Sequence, residues 1–301
     1  MQNKKADVII IGAQKAGTTS LNIYLSQHPN IFTHNTQEYG LFRDDESLKK
    51  GIQYFYDNTV DDAVKSDTAK TVFVAKRVGL MYDSKRLLQV KEYNPDIKVV
   101  VVLRNPVDRA FSAFDYCRGM GIEPYTNFED AVYINDPSRF NGNEKHKRNC
   151  DYIGWSMYAE HIKNIYSIFP AENIHVFLFE EMITDLNAYL NKICSTVDLS
   201  GFNFNTSKKH NERKKSRSPF LSKIFSSAKK SLLINILPMK LRLALKKNVK
   251  GAILKNSKPA EKKQMAAATH EYLKNIFVSD VTELEENTNL PVKKYWPDFF
   301  R

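Results

Sequence analysis

Three cysteines in 301 residues, Cys117, Cys150 and Cys194, are too few and too widely spaced for a disulfide framework. An odd count with no CxxC pair predicts free thiols in a reducing cytosol rather than bridges or a zinc site. No Asp/His/Glu cluster shows ligand spacing, so no metal is expected. No run of 18 apolar residues occurs, which argues against a transmembrane helix. The start, MQNKKADVIII, passes from charge straight into an apolar run too short for a secretory signal and without its small-residue cleavage site. Internal repeats and low-complexity tracts are missing too, which excludes solenoids and linker arrays. What remains, at 42% apolar residues, is enough to bury a full core: one large domain, 1–301, with an appendage.

Acidic residues are scarce in one stretch. Between Lys208 and Lys263, 18 Lys and Arg face only Glu212 and Glu261, a local balance of +16 in a chain of net +11. The basicity therefore belongs to an insertion, 205–263, and the rest of the chain is slightly acidic. Two amphipathic basic stretches, PFLSKIFSSAKKSLLINIL and MKLRLALKKNVKGAIL, are split by Pro238 and predict a helical insertion. Three readings stand open: a lid attracting an anionic glycan, a helix pair over 219–255 on anionic lipid, or ordinary solvated helices. No aromatic-interleaved or zinc module accompanies the charge, so nucleic acid is not the expected partner.

Residues 8–22 read VIIIGAQKAGTTSLN. Val8 to Ile11 form an apolar run such as a central parallel strand shows. A loop bounded by Gly12 and Gly17 follows, with Lys15 inside it, and Thr18, Thr19 and Ser20 open a helix. That order gathers backbone N–H groups, a cation and short donors around one point, which is how a chain holds phosphate. The spacing approaches the Walker A pattern GxxxxGK[ST], but the lysine sits inside the loop and Thr18 follows Gly17. A nucleotide triphosphatase places its lysine at the helix start beside a magnesium-holding hydroxyl. A 5′-phosphate without that metal geometry suits this loop better.

A second buried strand, VVVVL at 99–103, leads into Arg104-Asn105-Pro106-Val107-Asp108-Arg109, with Ser112 two turns into the next helix. An arginine fork with a hydroxyl suits a terminal phosphate. Two phosphate sites at the ends of two parallel strands define one nucleotide crevice. Strands at 8–11, 71–75, 98–103 and 174–179 alternate with helices near 18–27, 83–93, 107–117, 127–134, 152–168 and 184–196. This predicts an α/β fold, a mostly parallel central sheet flanked by helices. Two further helices, 259–276 and 278–286, are expected near the end of the sequence.

These residues carry a family resemblance. GAQKAGTTSLNIYLSQHPNI resembles the 5′-phosphosulfate loop of sulfotransferases that use 3′-phosphoadenosine 5′-phosphosulfate (PAPS), and LRNPVDRAFSAFDY is similar to their 3′-phosphate motif. TQEYGLF at 36–42, FVAKRVGLMYD at 73–83 and YAEHIKNIYSIFPAENIHVFLFEEM at 158–182 resemble segments of heparan-type and related carbohydrate sulfotransferases. Gln37, Arg77, Val78 and Ile165 depart from the family pattern. The resemblance implies the P-loop-like nucleotide fold of sulfotransferases and transfer of a sulfuryl group from PAPS to a hydroxyl acceptor, most plausibly a saccharide. It implies a donor site of Lys15, Ala16, Gly17, Thr18, Thr19 and Ser20 at the 5′ end and Arg104 and Ser112 at the 3′ end. It also implies a basic loop, with Lys208, Arg213 and Lys214, expected to close over the adenine-side phosphate. Glu38, matching the motif glutamate, is the candidate general base, with Lys15 and Lys76 as catalytic cations. Lys76 either holds sulfuryl oxygens or an acidic acceptor, or forms a structural ion pair. His34, His161 and His210 are rival bases. Family members of the Golgi begin with a membrane anchor that is not found here, so a bacterial-type cytoplasmic enzyme, with contact at the inner membrane surface left open, is expected. The rival functions are a P-loop kinase or triphosphatase and a non-catalytic adaptor that keeps a nucleotide fold at a membrane surface.

Overall fold

The computed structural model describes residues 5–207, 214–216, 257–259 and 264–301. Five short strands build the central sheet: β1 (Val8–Gly12), β2 (Ile31–Thr33), β3 (Val72–Lys76), β4 (Lys98–Leu103) and β5 (Ile174–Leu178). Their order is β2-β3-β1-β4-β5, and every neighbouring pair is parallel. The Val and Ile runs of β1, β3 and β4 are buried almost throughout, as strands covered by helices on both faces must be. All four predicted strands match within a residue. β2, three residues at the sheet edge, is too short for its periodicity to be read from sequence.

The chain leaves β1 toward β2 and leaves β4 toward β5, so the connections diverge between two neighbouring strands. Ligand crevices open at such a switch point, beyond the carboxyl ends of the strands. Both phosphate-type segments start there. β1 ends in an irregularity of register against β4, where the Ala13 N–H donates to Val102 O at 2.6 Å and carries the ladder one residue into the loop.

Helices Thr18–Leu25 and Pro106–Gly119 follow β1 and β4. The second starts where expected because Pro106 occupies its first turn and the Asn105 side chain accepts from the N–H groups of Val107 and Asp108. Helix Asp45–Thr59, capped by Asp44, was not predicted. The predicted helix 152–168 is a 3₁₀ turn at Gly154–Ser156 and then helix Tyr158–Ile168. Helix Tyr158–Ile168 takes its cap from afar: Asp280 accepts from the N–H groups of Tyr158 and Ala159 at 2.6 and 2.9 Å. Burial raises the Asp280 carboxyl above its ordinary range.

Instead of two helices divided near residue 277, one continuous helix spans Ala267–Asn287. Leu273, Phe277, Val281 and Leu284 lie on its buried face, and that stripe runs through the expected break. Trp296, beyond it, is buried, and its indole N–H donates to Glu180 Oε2 at 2.9 Å. The other Glu180 oxygen accepts from Asn105 N–H at 3.0 Å, so the end of the described chain braces the residue next to Arg104. Within the insertion, Lys214–Ser216 pairs antiparallel with Ser257–Pro259. Of the remaining insertion calls, Lys208, Arg213 and the stretch 219–255 lie outside the described residues.

Candidate functional site

The loop after β1 turns back through Lys15, at φ 70°, and Gly17, at φ 79°. Gly17 is required twice over: its φ is left-handed, and a Cβ there would come within 2.9 Å of Phe179 Cε2. Gly17 then caps helix Thr18–Leu25 with no side-chain hydrogen bond, and the first N–H groups of a helix have no acceptor within the helix itself. Ala16 and Thr18 are buried beneath the loop, while Thr19 and Ser20 are half-buried at its rim. The Lys15 ammonium lies over the Tyr116 ring, 4.7 Å from its centroid.

Arg104 reaches this loop from β4. Its Nη1 donates to Lys15 O at 3.2 Å, and its guanidinium covers the Phe179 ring at 5.4 Å. Phe179 thus packs under both phosphate-type segments. Arg104 Nε is buried with no partner among the described residues. An unpaired buried guanidinium donor is costly unless an anion meets it. Asp108, 3.7 Å away, draws on another nitrogen of the same fork. Ser112 is buried on the same helix as Asp108, one turn on. Arg109, in the same motif, has a different position: fully buried, it donates to Ser156 Oγ at 2.6 Å and to the carbonyls of Asp151 and Tyr152. It fastens the 151–156 segment against the helix.

The Glu38 loop also reaches Tyr116. The neighbouring Gln37 amide donates to the Tyr116 hydroxyl at 3.5 Å, so the 106–119 helix joins the Lys15 loop to the Glu38 loop. Glu38 Oε1 meets the Lys76 ammonium at 2.5 Å, and Oε2 accepts from Val78 N–H at 2.9 Å. The lysine is 2% exposed and the glutamate 31%, so the carboxylate is the member a substrate can approach. Tyr116 was not singled out from the sequence, although it lies one helical turn past Ser112 on the same face.

Of the rival bases, His34 is buried and its Nε2 accepts from Lys76 N–H at 3.1 Å. Burial and the Lys76 charge push its pKa down to about 3. His161 lies edge-on to Tyr82, which itself stacks on Trp155 at 4.1 Å. His210 falls outside the described residues, and of Lys214 only the backbone is described.

His34 carries a stability consequence. An unfolded histidine takes up its proton near pH 6.5, whereas the folded one stays neutral to about pH 3. Below 6.5 the unfolded state therefore binds more protons, and stability falls with pH by up to about 1.4 kcal/mol per unit from this residue. Melting curves from pH 7.0 to 4.5 should show a steeper decline for wild type than for His34→Gln. Parallel curves would contradict it.

The family described as Sulfotransferase domain matches residues 5–251. The chain belongs to this family. Among curated sulfotransferase relatives, heparan sulfate glucosamine 3-O-sulfotransferase 5 of Mus musculus is 25% identical over 181 residues, 59% of this chain and 49% of that protein. The bifunctional heparan sulfate N-deacetylase/N-sulfotransferase 1 of Caenorhabditis elegans is 25% identical over 205 residues, 66% of this chain and 23% of that protein. The match therefore spans about a quarter to a half of these relatives' length. A solved sulfotransferase from Alicyclobacillus acidocaldarius shares the fold, with TM-score 0.63 at 20% identity over 94% of this chain and 95% of that one. Among the described residues of this chain, no helix is long and apolar enough to cross a membrane.

Proposed function

We propose that the protein is a PAPS-dependent sulfotransferase whose acceptor is a hydroxyl group of a saccharide. The observation that carries the donor half is the Arg104 guanidinium, which spans from β4 to the Lys15 loop with a buried Nε left for an anion. A nucleotide bearing phosphate at both the 5′ and 3′ positions accounts for both segments at once, and the residues present fit it. Lys15, Ala16, Gly17, Thr18, Thr19 and Ser20 hold the 5′ end through backbone N–H groups, hydroxyls and the ammonium. Arg104 and Ser112 hold the 3′-phosphate. The acceptor half draws on the heparan sulfate relatives and on the partly exposed Glu38 side chain. The insertion 205–263 is read as part of a single domain, 1–301.

When bound, PAPS supplies the activated sulfuryl group. Glu38 accepts the proton of the acceptor hydroxyl as the new S–O bond forms. Lys15 and the N–H groups at the helix start meet the charge that develops on the leaving 5′-phosphate. Lys76 and Val78 N–H orient the two Glu38 oxygens, one each. Positioning and charge stabilisation carry most of the rate in such loose group transfers.

Arg104→Ala tests the donor reading. Binding of 3′-phosphoadenosine 5′-phosphate (PAP) should weaken roughly 10- to 100-fold, the worth of a charge-assisted hydrogen bond. Adenosine 5′-phosphosulfate, without the 3′-phosphate, should bind almost as before. Equal losses in calorimetric titrations would show that Arg104 does not touch that phosphate.

A further inference from the structure

Glu38 sits in a loop and Lys76 at the end of a strand, so something must fix one against the other. A chain of hydrogen bonds, buried at His34 and half-buried at Thr36, does so. Lys76 N–H donates to His34 Nε2 at 3.1 Å, His34 Nδ1 lies 2.9 Å from Thr36 Oγ1, and the Thr36 hydroxyl donates to Glu38 O at 3.0 Å. Tyr39 N–H returns to Lys76 O at 2.7 Å, closing a ring whose other link is the Lys76–Glu38 pair. The hydroxyl has a single proton, and Glu38 O receives it. Toward His34 it must therefore accept, so the proton of the ring is on Nδ1 and Nε2 is the acceptor. Only the neutral Nδ1–H tautomer satisfies every link. Burial under Tyr39, whose ring lies 5.5 Å away, and the Lys76 charge keep the imidazole in that state.

We propose that His34 and Thr36 are positioning residues: a neutral imidazole and a hydroxyl that lock the Glu38 backbone to the Lys76 backbone and so set the carboxylate beside its lysine. The role rests on reading Glu38 as the general base. It goes beyond that reading by assigning the catalytic spacing to two residues that touch no substrate. His34 also ties the end of β2 to β3, a purely structural service, and Thr36 separates the two, because its hydroxyl joins the ring to Glu38 and leaves the β2–β3 link alone.

Thr36→Val keeps the side-chain shape and removes the hydroxyl, whereas Thr36→Ser retains it. Transfer of sulfuryl from PAPS to heparan sulfate oligosaccharides should lose about tenfold in kcat in Thr36→Val, with KM and PAP affinity within about twofold of wild type. Thr36→Ser should recover most of that loss. A lower Tm with kcat per folded molecule unchanged would overturn the role. Independently of activity, ¹⁵N NMR of the imidazole should show the Nδ1–H tautomer of His34, unprotonated down to pH 5; an Nε2–H tautomer or titration near 6.5 would overturn it. Wild-type protein that binds PAP but transfers nothing to the oligosaccharides would refute the glycan reading, and the kinetic role with it. Active wild type with an undiminished Thr36→Val refutes the positioning role alone.

Discussion

Replacing Glu38 by glutamine should lower kcat by about 10²–10⁴-fold, the usual contribution of a positioned general base, and leave PAP affinity unchanged. The substitution is nearly isosteric. Glutamine Oε1 can still accept from Val78 N–H, so the loop keeps one of its two anchors. What it loses is the basic oxygen that receives the acceptor proton. Lys76, 2% exposed, also loses its counter-ion and is left facing an amide, which costs stability because a buried charge is then unpaired. The assay should therefore run well below the variant's Tm, with active sites counted by PAP titration. A variant that turns over normally and binds PAP poorly would place Glu38 in donor binding instead.

Lys15→Ala should reduce turnover about 10²–10³-fold, the scale of removing one preorganised donor from a developing charge. The loop itself should survive, because its shape is held by other atoms: Ala13 N–H on Val102 O, Gly17 against Phe179, and Arg104 on the carbonyl of residue 15, which alanine retains. The Lys15 ammonium lies over the Tyr116 ring, on the helix that also meets Gln37 beside Glu38. Loss of kcat with a folded protein of near-normal Tm is the expected pattern, read from single-turnover transfer and melting together. Near-normal turnover would remove Lys15 from the chemistry.

Those parts of the site that depend on local spacing were legible in the sequence. Gly12, Lys15, Gly17 and the hydroxyls after them fall within one strand–loop–helix unit, and Arg104, Asn105 and Pro106 fall within a second. Each unit announces itself because glycine, proline and capping residues have fixed positions in a turn. Glu38 was reached through its resemblance to a motif, and the structure gives it Lys76 as partner across 38 residues. His34 was legible only as a titratable group and so stood as a rival base. Its neutrality comes from burial under Tyr39 and from the Lys76 charge, neither of which a linear pattern records. Arg109 was equally opaque. It stands five residues from Arg104 in the same motif, yet it clamps the 151–156 backbone, while Arg104 faces the loop. The C-terminal helix was divided wrongly because its buried stripe is sparse, and only packing against helices Tyr158–Ile168 and Pro106–Gly119 makes it continuous.

The most direct test of a crevice built for a nucleotide phosphorylated at both ends is a thermal-shift comparison on the intact chain. PAP, AMP, ADP and ATP, with and without magnesium, would each be added at the same concentration. At about 100 times its Kd, PAP should add about 2.7 kcal/mol of stability and raise Tm by several degrees, while the nucleotides without a 3′-phosphate add little. ATP with magnesium stabilising the chain as well as PAP does, or better, would contradict the proposed donor and favour a nucleotide triphosphatase.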